Sequence, residues 1–284
     1  MFSRFFISAL AVFVLVAALP VNSAEFSVVR GGRTFFGLGI SIRGEIKRGD
    51  FDRFRLFLLE DDALKGYASH VWLNSPGGDV IEAMRFADLL DKSGATAYVG
   101  PDSKCYSACV FIFAGAASRS IFPQGELGVH RITLKSDEVA YAREKSVVVQ
   151  ASEEAYAYLV RQGIPQEVVT KMRETPASEL FVFDFFEARR FRSLDNPAFV
   201  DIVEKRCGKM PADGKLSPAE AALDGDRIEI LRKWVVCRSQ LQTLNLKKYF
   251  QIELTNLLQR GNSSVYPTDS AARAKRAFDG AFAE

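Results

Sequence analysis

Histidine is nearly absent and cysteine is sparse: two and four residues in 284. No apolar run beyond the first twenty positions is long enough to span hydrocarbon, so no membrane-spanning helix is expected after the leader. Neither charge sign dominates, with 37 Lys plus Arg against 35 Asp plus Glu; only Arg4 of these falls in the first 24 residues, leaving 36 against 35. Such a balance supplies no bulk field to recruit nucleic acid or a strongly charged surface, and binding becomes a matter for a cleft. No Gly-rich loop ends in Gly-Lys-Ser/Thr, the usual cradle for ATP phosphates, and no internal repeat is present. The cysteines, at 105, 109, 207 and 237, have three and 29 residues between the members of each near pair. Neither spacing is the Cys-x-x-Cys knuckle of structural zinc or of a redox pair, and neither metal nor cofactor is expected.

What is present begins with a leader. Met1-Phe2-Ser3-Arg4 precedes an apolar stretch from Phe5 to Leu19, then Pro20 and Asn22-Ser23-Ala24. A short basic start, an apolar segment and small residues read as a secretory signal peptide over residues 1–24, the alternative being an uncleaved anchor. A periplasmic or other extracytoplasmic location follows, where disulfides persist. Three cysteine pairings are open on sequence alone. The preferred pairs are Cys105 with Cys109, which bracket one motif, and Cys207 with Cys237, within the C-terminal helical region.

Removing 24 of 284 residues leaves enough chain for one domain plus a helical appendage. Short strands are expected over Phe26–Arg30 and Phe35–Ile42, and a helix over Gly49–Leu59. His70–Leu73 then reads as a strand, Asn74–Asp79 as a turn, Val80–Lys92 as a helix closed by Gly94, and Ala95–Val99 as a further strand. That order is a right-handed crossover unit of a mostly parallel sheet. It repeats with a loop over Pro101–Tyr106, a helix over Ser107–Ala117, a strand over Arg119–Phe122 and another beginning at Gly128. Helices over Ser136–Gln162 and Pro165–Met172 and an aromatic element over Leu180–Phe186 follow. The domain is placed at 25–195, a C-terminal helical region at 196–260, and a flexible tail at 261–284.

Three motifs carry the chemistry: Ser75-Pro76-Gly77-Gly78-Asp79, Cys105-Tyr106-Ser107-Ala108-Cys109, and Gly128-Val129-His130. Paired glycines after a strand let the backbone approach a ligand and turn amides into a cleft. A serine opening an apolar helix sits at a positive helix end, and a histidine on a neighbouring element can take its proton. Each has a plainer reading: Pro-Gly-Gly as a turn, Ser107 as a helix cap, His130 as a packed structural residue. If reduced, Cys105 or Cys109 offers a thiol nucleophile or redox pair, although Ser107 better matches the start of the helix.

In order and spacing, the three motifs resemble the Clp protease proteolytic subunit and, more broadly, the ClpP/crotonase-like superfamily that includes signal peptide peptidase A. The resemblance covers roughly residues 36–190, and the cysteines and appended helices bring it nearer to exported Clp-protease-like proteins. It implies an α/β fold with a repeated β-β-α superhelical core, Ser107 as nucleophile, His130 as general base, and the amides of Gly78 and Ala108 as oxyanion hole. Ser75, Pro76 and Gly77 would form the supporting turn. The family's third catalytic member is an Asp after the long helix; none stands in Arg173–Leu180. Glu179 is the best substitute, ahead of Glu174 and Asp184, and a backbone carbonyl or hydroxyl can also orient the imidazole. The family's small residues beside the nucleophile are replaced by Cys105, Tyr106 and Cys109, which narrows the cleft or locks its wall. The implied activity is ATP-independent hydrolysis of a peptide or other acyl substrate, with homo-oligomerisation as in the family. Acyl-CoA chemistry is disfavoured for an exported protein, and the competing class is a degenerate member that binds or assembles without cutting.

Overall fold

The computed structural model describes residues 23–30, 38–60, 69–133, 145–191, 197–210 and 225–259. Most of the expected leader, the first part of the Ser136–Gln162 helix and the tail over 261–284 lie outside the described residues. The elements in order are β1 (Glu25–Arg30), β2 (Leu38–Arg43), α1 (Asp50–Glu60), β3 (His70–Asn74), α2 (Val80–Ser93), β4 (Thr96–Val99), β5 (Lys104–Tyr106) and α3 (Cys109–Gly115). There follow β6 (Ser118–Ile121), β7 (Glu126–Val129), α4 (Lys145–Arg161), α5 (Gln166–Glu174), β8 (Phe181–Phe183), α6 (Phe185–Ala188), α7 (Pro197–Cys207) and α8 (Gly225–Gln259). The class is α/β, as expected, and the strands form two mixed sheets.

The larger sheet runs β1-β2-β3-β4-β6 and the smaller β5-β7-β8. In the first, only β1 with β2 is antiparallel; in the second, β5 lies parallel to β7 and β8 antiparallel to it. The crossover from β3 to β4 is set locally. Asp79 caps α2, its carboxylate accepting from Glu82 N at 2.9 Å, and Gly94 ends the helix with φ 70°, a left-handed position that glycine takes without strain. Between those caps, Ala83, Phe86, Ala87, Leu89 and Leu90 are buried. Phe26, Phe51 and Phe54 gather around Phe86, with ring centroids 5.0–6.1 Å apart.

Every residue of α3, from Cys109 to Gly115, is buried, which is why it reads as a continuous apolar run without amphipathic period. Burying each of Phe111 and Phe113 contributes about 2–3 kcal/mol. The helix therefore presents its first turn, immediately after Ser107, from a rigid base. At the far side α8 packs against α2: Gln242 Nε2 donates to Gly94 O at 2.6 Å, and Leu246, Tyr249 and Phe250 join the main core. α8 thus packs on the helix that follows the glycine turn.

Around the three motifs, three boundaries differ from expectation. Lys104–Tyr106 is a strand and not part of a loop, because β7 supplies a parallel partner that so short a segment cannot announce. The helix expected to open at Ser107 opens at Cys109, with Ser107 and Ala108 in a turn. The strand expected to begin at Gly128 runs from Glu126 to Val129, so His130 follows its end.

Candidate functional site

The chain after β3 joins the two sheets. Ser75 N donates to Lys104 O at 2.6 Å, Tyr106 N donates to Ser75 O at 3.0 Å, and Ser75 bridges Cys105 in parallel. On the other side, Ile46 N donates to Gly77 O at 2.8 Å and Asp79 N to Ile46 O at 2.8 Å. The turn is therefore held between Ile46 and β5, with the buried Ser75 hydroxyl accepting from Gly77 N at 3.1 Å and Pro76 exposed.

Both glycines are required by this position. Gly77 has φ 99° and Gly78 φ 140°, where side-chain-bearing residues are strained. A Cβ on Gly77 would lie 2.7 Å from Ser107 Cβ and 2.9 Å from Ala108 N; one on Gly78 would lie 2.0 Å from Ile46 O. Gly77 is thus packed against Ser107 and Ala108, and Gly78 against Ile46. Among the described residues, the amides of Gly78 and Ala108 donate to no hydrogen-bond acceptor.

Ser107 has φ 53°, one of three non-glycine residues with positive φ among those described. Such backbone is uncommon and costs about 1–3 kcal/mol, which the surroundings must over-determine. Here Ser107 N donates to Gly128 O at 2.9 Å, and Ser107 O accepts from Val110 N at 3.0 Å. The helix cap is Ala108, with no side-chain cap bond. The Ser107 hydroxyl is therefore not a cap; half-buried, it has no hydrogen-bond partner among the described residues, His130 included.

The register of β5 with β7 pairs Tyr106 with Gly128, so Ser107 and His130 leave the ends of adjacent parallel strands. Such strands lie about 4.8 Å apart. His130 is half-buried, and its Nδ1 lies 2.9 Å from Arg131 O. A carbonyl only accepts, so Nδ1 is the donor in this contact, and in the neutral ring Nε2 is then the nitrogen with the lone pair. That is the tautomer of a general base.

The carboxylates expected to orient His130 are placed differently from one another. Glu179 is exposed between α5 and β8, its amide donating to Pro176 O at 3.0 Å. Asp184 accepts from Glu187 N at 2.8 Å while Glu187 returns a bond to Asp184 N, which closes the start of α6. Glu174 ends α5, exposed. Past Val129 the chain turns from β8 toward α5, with Arg131 N donating to Thr175 O at 3.0 Å. The Arg131 carbonyl was not singled out by sequence reasoning, because main-chain acceptors leave no mark on residue identity.

Cys105 is bonded to Cys109 and Cys207 to Cys237, the preferred pairs. The first bond brackets Ser107 and is buried at both ends. No free thiol remains to act as nucleophile or redox partner. Tyr106 donates its hydroxyl to Glu126; burial first, then the bond to that carboxylate and its charge, push the phenol up to about 12. Among the described residues no group of three or more His, Cys, Asp or Glu is placed to hold a metal ion, and no helix is long and apolar enough to cross a membrane.

No protein-family model matches the chain, and no curated protein matches it. Among solved structures, a point mutant of ClpP1 from Listeria monocytogenes is similar over 56% of this chain and 91% of its own, at 19% identity and a TM-score of 0.41. ClpP1 from Listeria monocytogenes is similar over 54% of this chain and 85% of its own, at 19% identity and a TM-score of 0.38.

Proposed function

We infer that this chain is an exported, ATP-independent serine hydrolase of the ClpP/crotonase-like superfamily, acting on peptides or other acyl substrates through Ser107 and His130. The observation that carries the reading is the state of Ser107: a half-buried hydroxyl on left-handed backbone, unused as a cap, packed against Gly77 and followed by the undonated amide of Ala108. Strained serines with no structural duty concentrate where the strain serves chemistry.

In this mechanism the substrate carbonyl enters between the glycine turn and Ser107. His130 Nε2 accepts the hydroxyl proton as Oγ attacks, and the amides of Gly78 and Ala108 receive the charge developing on the carbonyl oxygen. The imidazolium returns its proton to the leaving amine or alkoxide. Water then attacks the acyl-enzyme, giving its proton to Nε2, and Ser107 leaves with that proton. The Arg131 carbonyl holds the imidazole in the required tautomer throughout, and Glu179 adds at most a solvent-exposed negative charge. Ser107 and His130 meet when substrate displaces water from the cleft; unliganded sites are commonly looser than the reacting complex.

A second reading rests on one observation: the partner of His130 Nδ1 is a carbonyl, not a carboxylate. A weakly polarised histidine suits a protein that holds an extended peptide in the cleft without cutting it. Hydrolysis of activated esters and of a mixed peptide library by the oxidised protein lacking residues 1–24 separates the two. The hydrolase reading expects turnover that falls about a thousandfold or more in Ser107→Ala. Saturable peptide binding with no turnover, or turnover indifferent to Ser107, assigns the cleft to binding.

A further inference from the structure

Ala24 stands at the boundary read for the leader, yet the fold uses it as a core residue. It is fully buried within the main core. Its amide donates to Asp50 Oδ2 at 3.0 Å, and its carbonyl accepts from the Arg53 guanidinium at 2.6 Å. A cut after Ala24 would strip away a buried residue and leave that carboxylate one donor short. Ser23, one position earlier, is half-buried; its hydroxyl accepts from Arg53 at 3.0 Å at the surface, and its backbone bridges Glu45. Water replaces contacts of that kind with little loss.

Asp50, the first residue of α1, is only 1% exposed. Its Oδ2 accepts from Ala24 N and also from Lys47 N at 2.8 Å, and its Oδ1 accepts from Arg53 at 2.6 Å. The Arg53 side chain is half in solvent, which screens its charge. A backbone amide satisfies a lone pair of a buried carboxylate without answering its charge, whereas an ammonium at the same atom does both. The residues before Ala24 suit such a product. Val21 and Ser23 stand third and first before the Ser23–Ala24 bond, matching the Ala or Val and the small residue of a leader cut site; a cut after Ala24 would put Asn22 third.

We propose that the leader is cut between Ser23 and Ala24, and that the α-ammonium so formed on Ala24 makes a buried ion pair with Asp50. The proposal rests on the exported reading and starts the processed chain one residue earlier than the sequence alone places it. In the cut, made by a leader peptidase, water adds across the amide. Its hydroxyl goes to the Ser23 carbonyl carbon and its hydrogen to Ala24 N; the new acid then gives up its proton, and the amine takes one from solvent. One N–H donor becomes three, and because Ser23 is half-buried the space it leaves reaches solvent, so the added hydrogens need no room in the core. Lys47, which shares Asp50 with Ala24, follows Ile46, the residue bonded to both Gly77 and Asp79. The ion pair therefore ties the start of the processed chain to the segment on which the glycine turn rests.

The full chain, expressed in a bacterium that exports it by its own leader, tests this through N-terminal sequencing and intact mass of the exported protein. The processed chain is expected to start at Ala24. In the folded protein its α-amine, followed on the N-terminal peptide by mass spectrometry, is expected to react with an acylating reagent about tenfold or more slowly than in urea, because access requires local opening. The protein lacking residues 1–24 is expected to unfold at a lower urea concentration than the processed one. A start at Glu25 or at any other residue, an Ala24 amine that reacts equally fast folded and unfolded, or equal midpoints for the two chains overturns this proposal and leaves the Ser107–His130 reading standing. An expressed chain that keeps residues 1–23 overturns the leader reading and this proposal with it.

Discussion

Ser107 donates its amide to the carbonyl of Gly128 at 2.9 Å, fastening the candidate nucleophile to the strand that ends one residue before His130. The same bond helps to hold Ser107 at its positive φ. Position and strain therefore have a common origin in the pairing of β5 with β7.

The orientation of His130 yields the first prediction. With Nδ1 held by Arg131 O, Glu179→Gln is expected to change kcat/KM for an activated ester by less than about threefold, whereas His130→Ala lowers it by about a thousandfold. A hundredfold loss in Glu179→Gln would instead make that carboxylate the third member of the site.

The glycine turn yields a prediction of stability. Gly78→Ala places a Cβ 2.0 Å from Ile46 O at φ 140°, so the bridge between Ile46 and the turn must open. Urea unfolding should show a loss of about 3 kcal/mol or more. An unchanged midpoint would mean that the turn relaxes freely and that its backbone is not fixed against Ser107.

The two disulfides should separate stability from activity. Loop-closure entropy assigns about 2 kcal/mol to the short Cys105–Cys109 loop and about 3–4 kcal/mol to the Cys207–Cys237 loop, whose ends are 30 apart in sequence. Replacing both cysteines of a pair by serine is expected to lower stability more for the second pair. Activity should fall more for the first, which brackets Ser107. Thermal unfolding and ester hydrolysis measured side by side check the crossing of the two effects.

His70 provides a pH dependence independent of the site. Burial, and secondarily the charge of Arg238, lower it to about 4, and its Nδ1 lies 3.2 Å from the Tyr98 hydroxyl. The unfolded chain, with an ordinary imidazole near 6.5, takes up the proton first as pH falls. This contribution to stability is thus complete above about pH 6.5, declines toward pH 4 and is level below, amounting to at most about 3 kcal/mol. Urea titrations across that range should show the decline in the wild type and a shallower one in His70→Gln.

Much of this was legible in residues whose neighbours in sequence are also their partners in space. Asp79 and Gly94 announce the ends of α2, the uninterrupted apolar run announces a buried α3, and Gly77-Gly78 announces a backbone that must approach something closely. β5 was not legible, because a three-residue strand with one buried position has no period of its own and exists through β7. The location of His130 just past a strand, the freedom of the Ser107 hydroxyl from capping, and the carbonyl partner of His130 likewise depend on contacts between distant segments and on main-chain atoms common to every residue.

The most direct measurement is covalent labelling of the oxidised protein lacking residues 1–24 by a fluorophosphonate, with the adduct located by peptide mass spectrometry. An activated hydroxyl beside an oxyanion hole predicts stoichiometric modification of Ser107, lost in Ser107→Ala and strongly slowed in His130→Ala. A folded protein that resists the probe, or that carries the adduct elsewhere, would contradict the assignment of this cleft to acyl transfer.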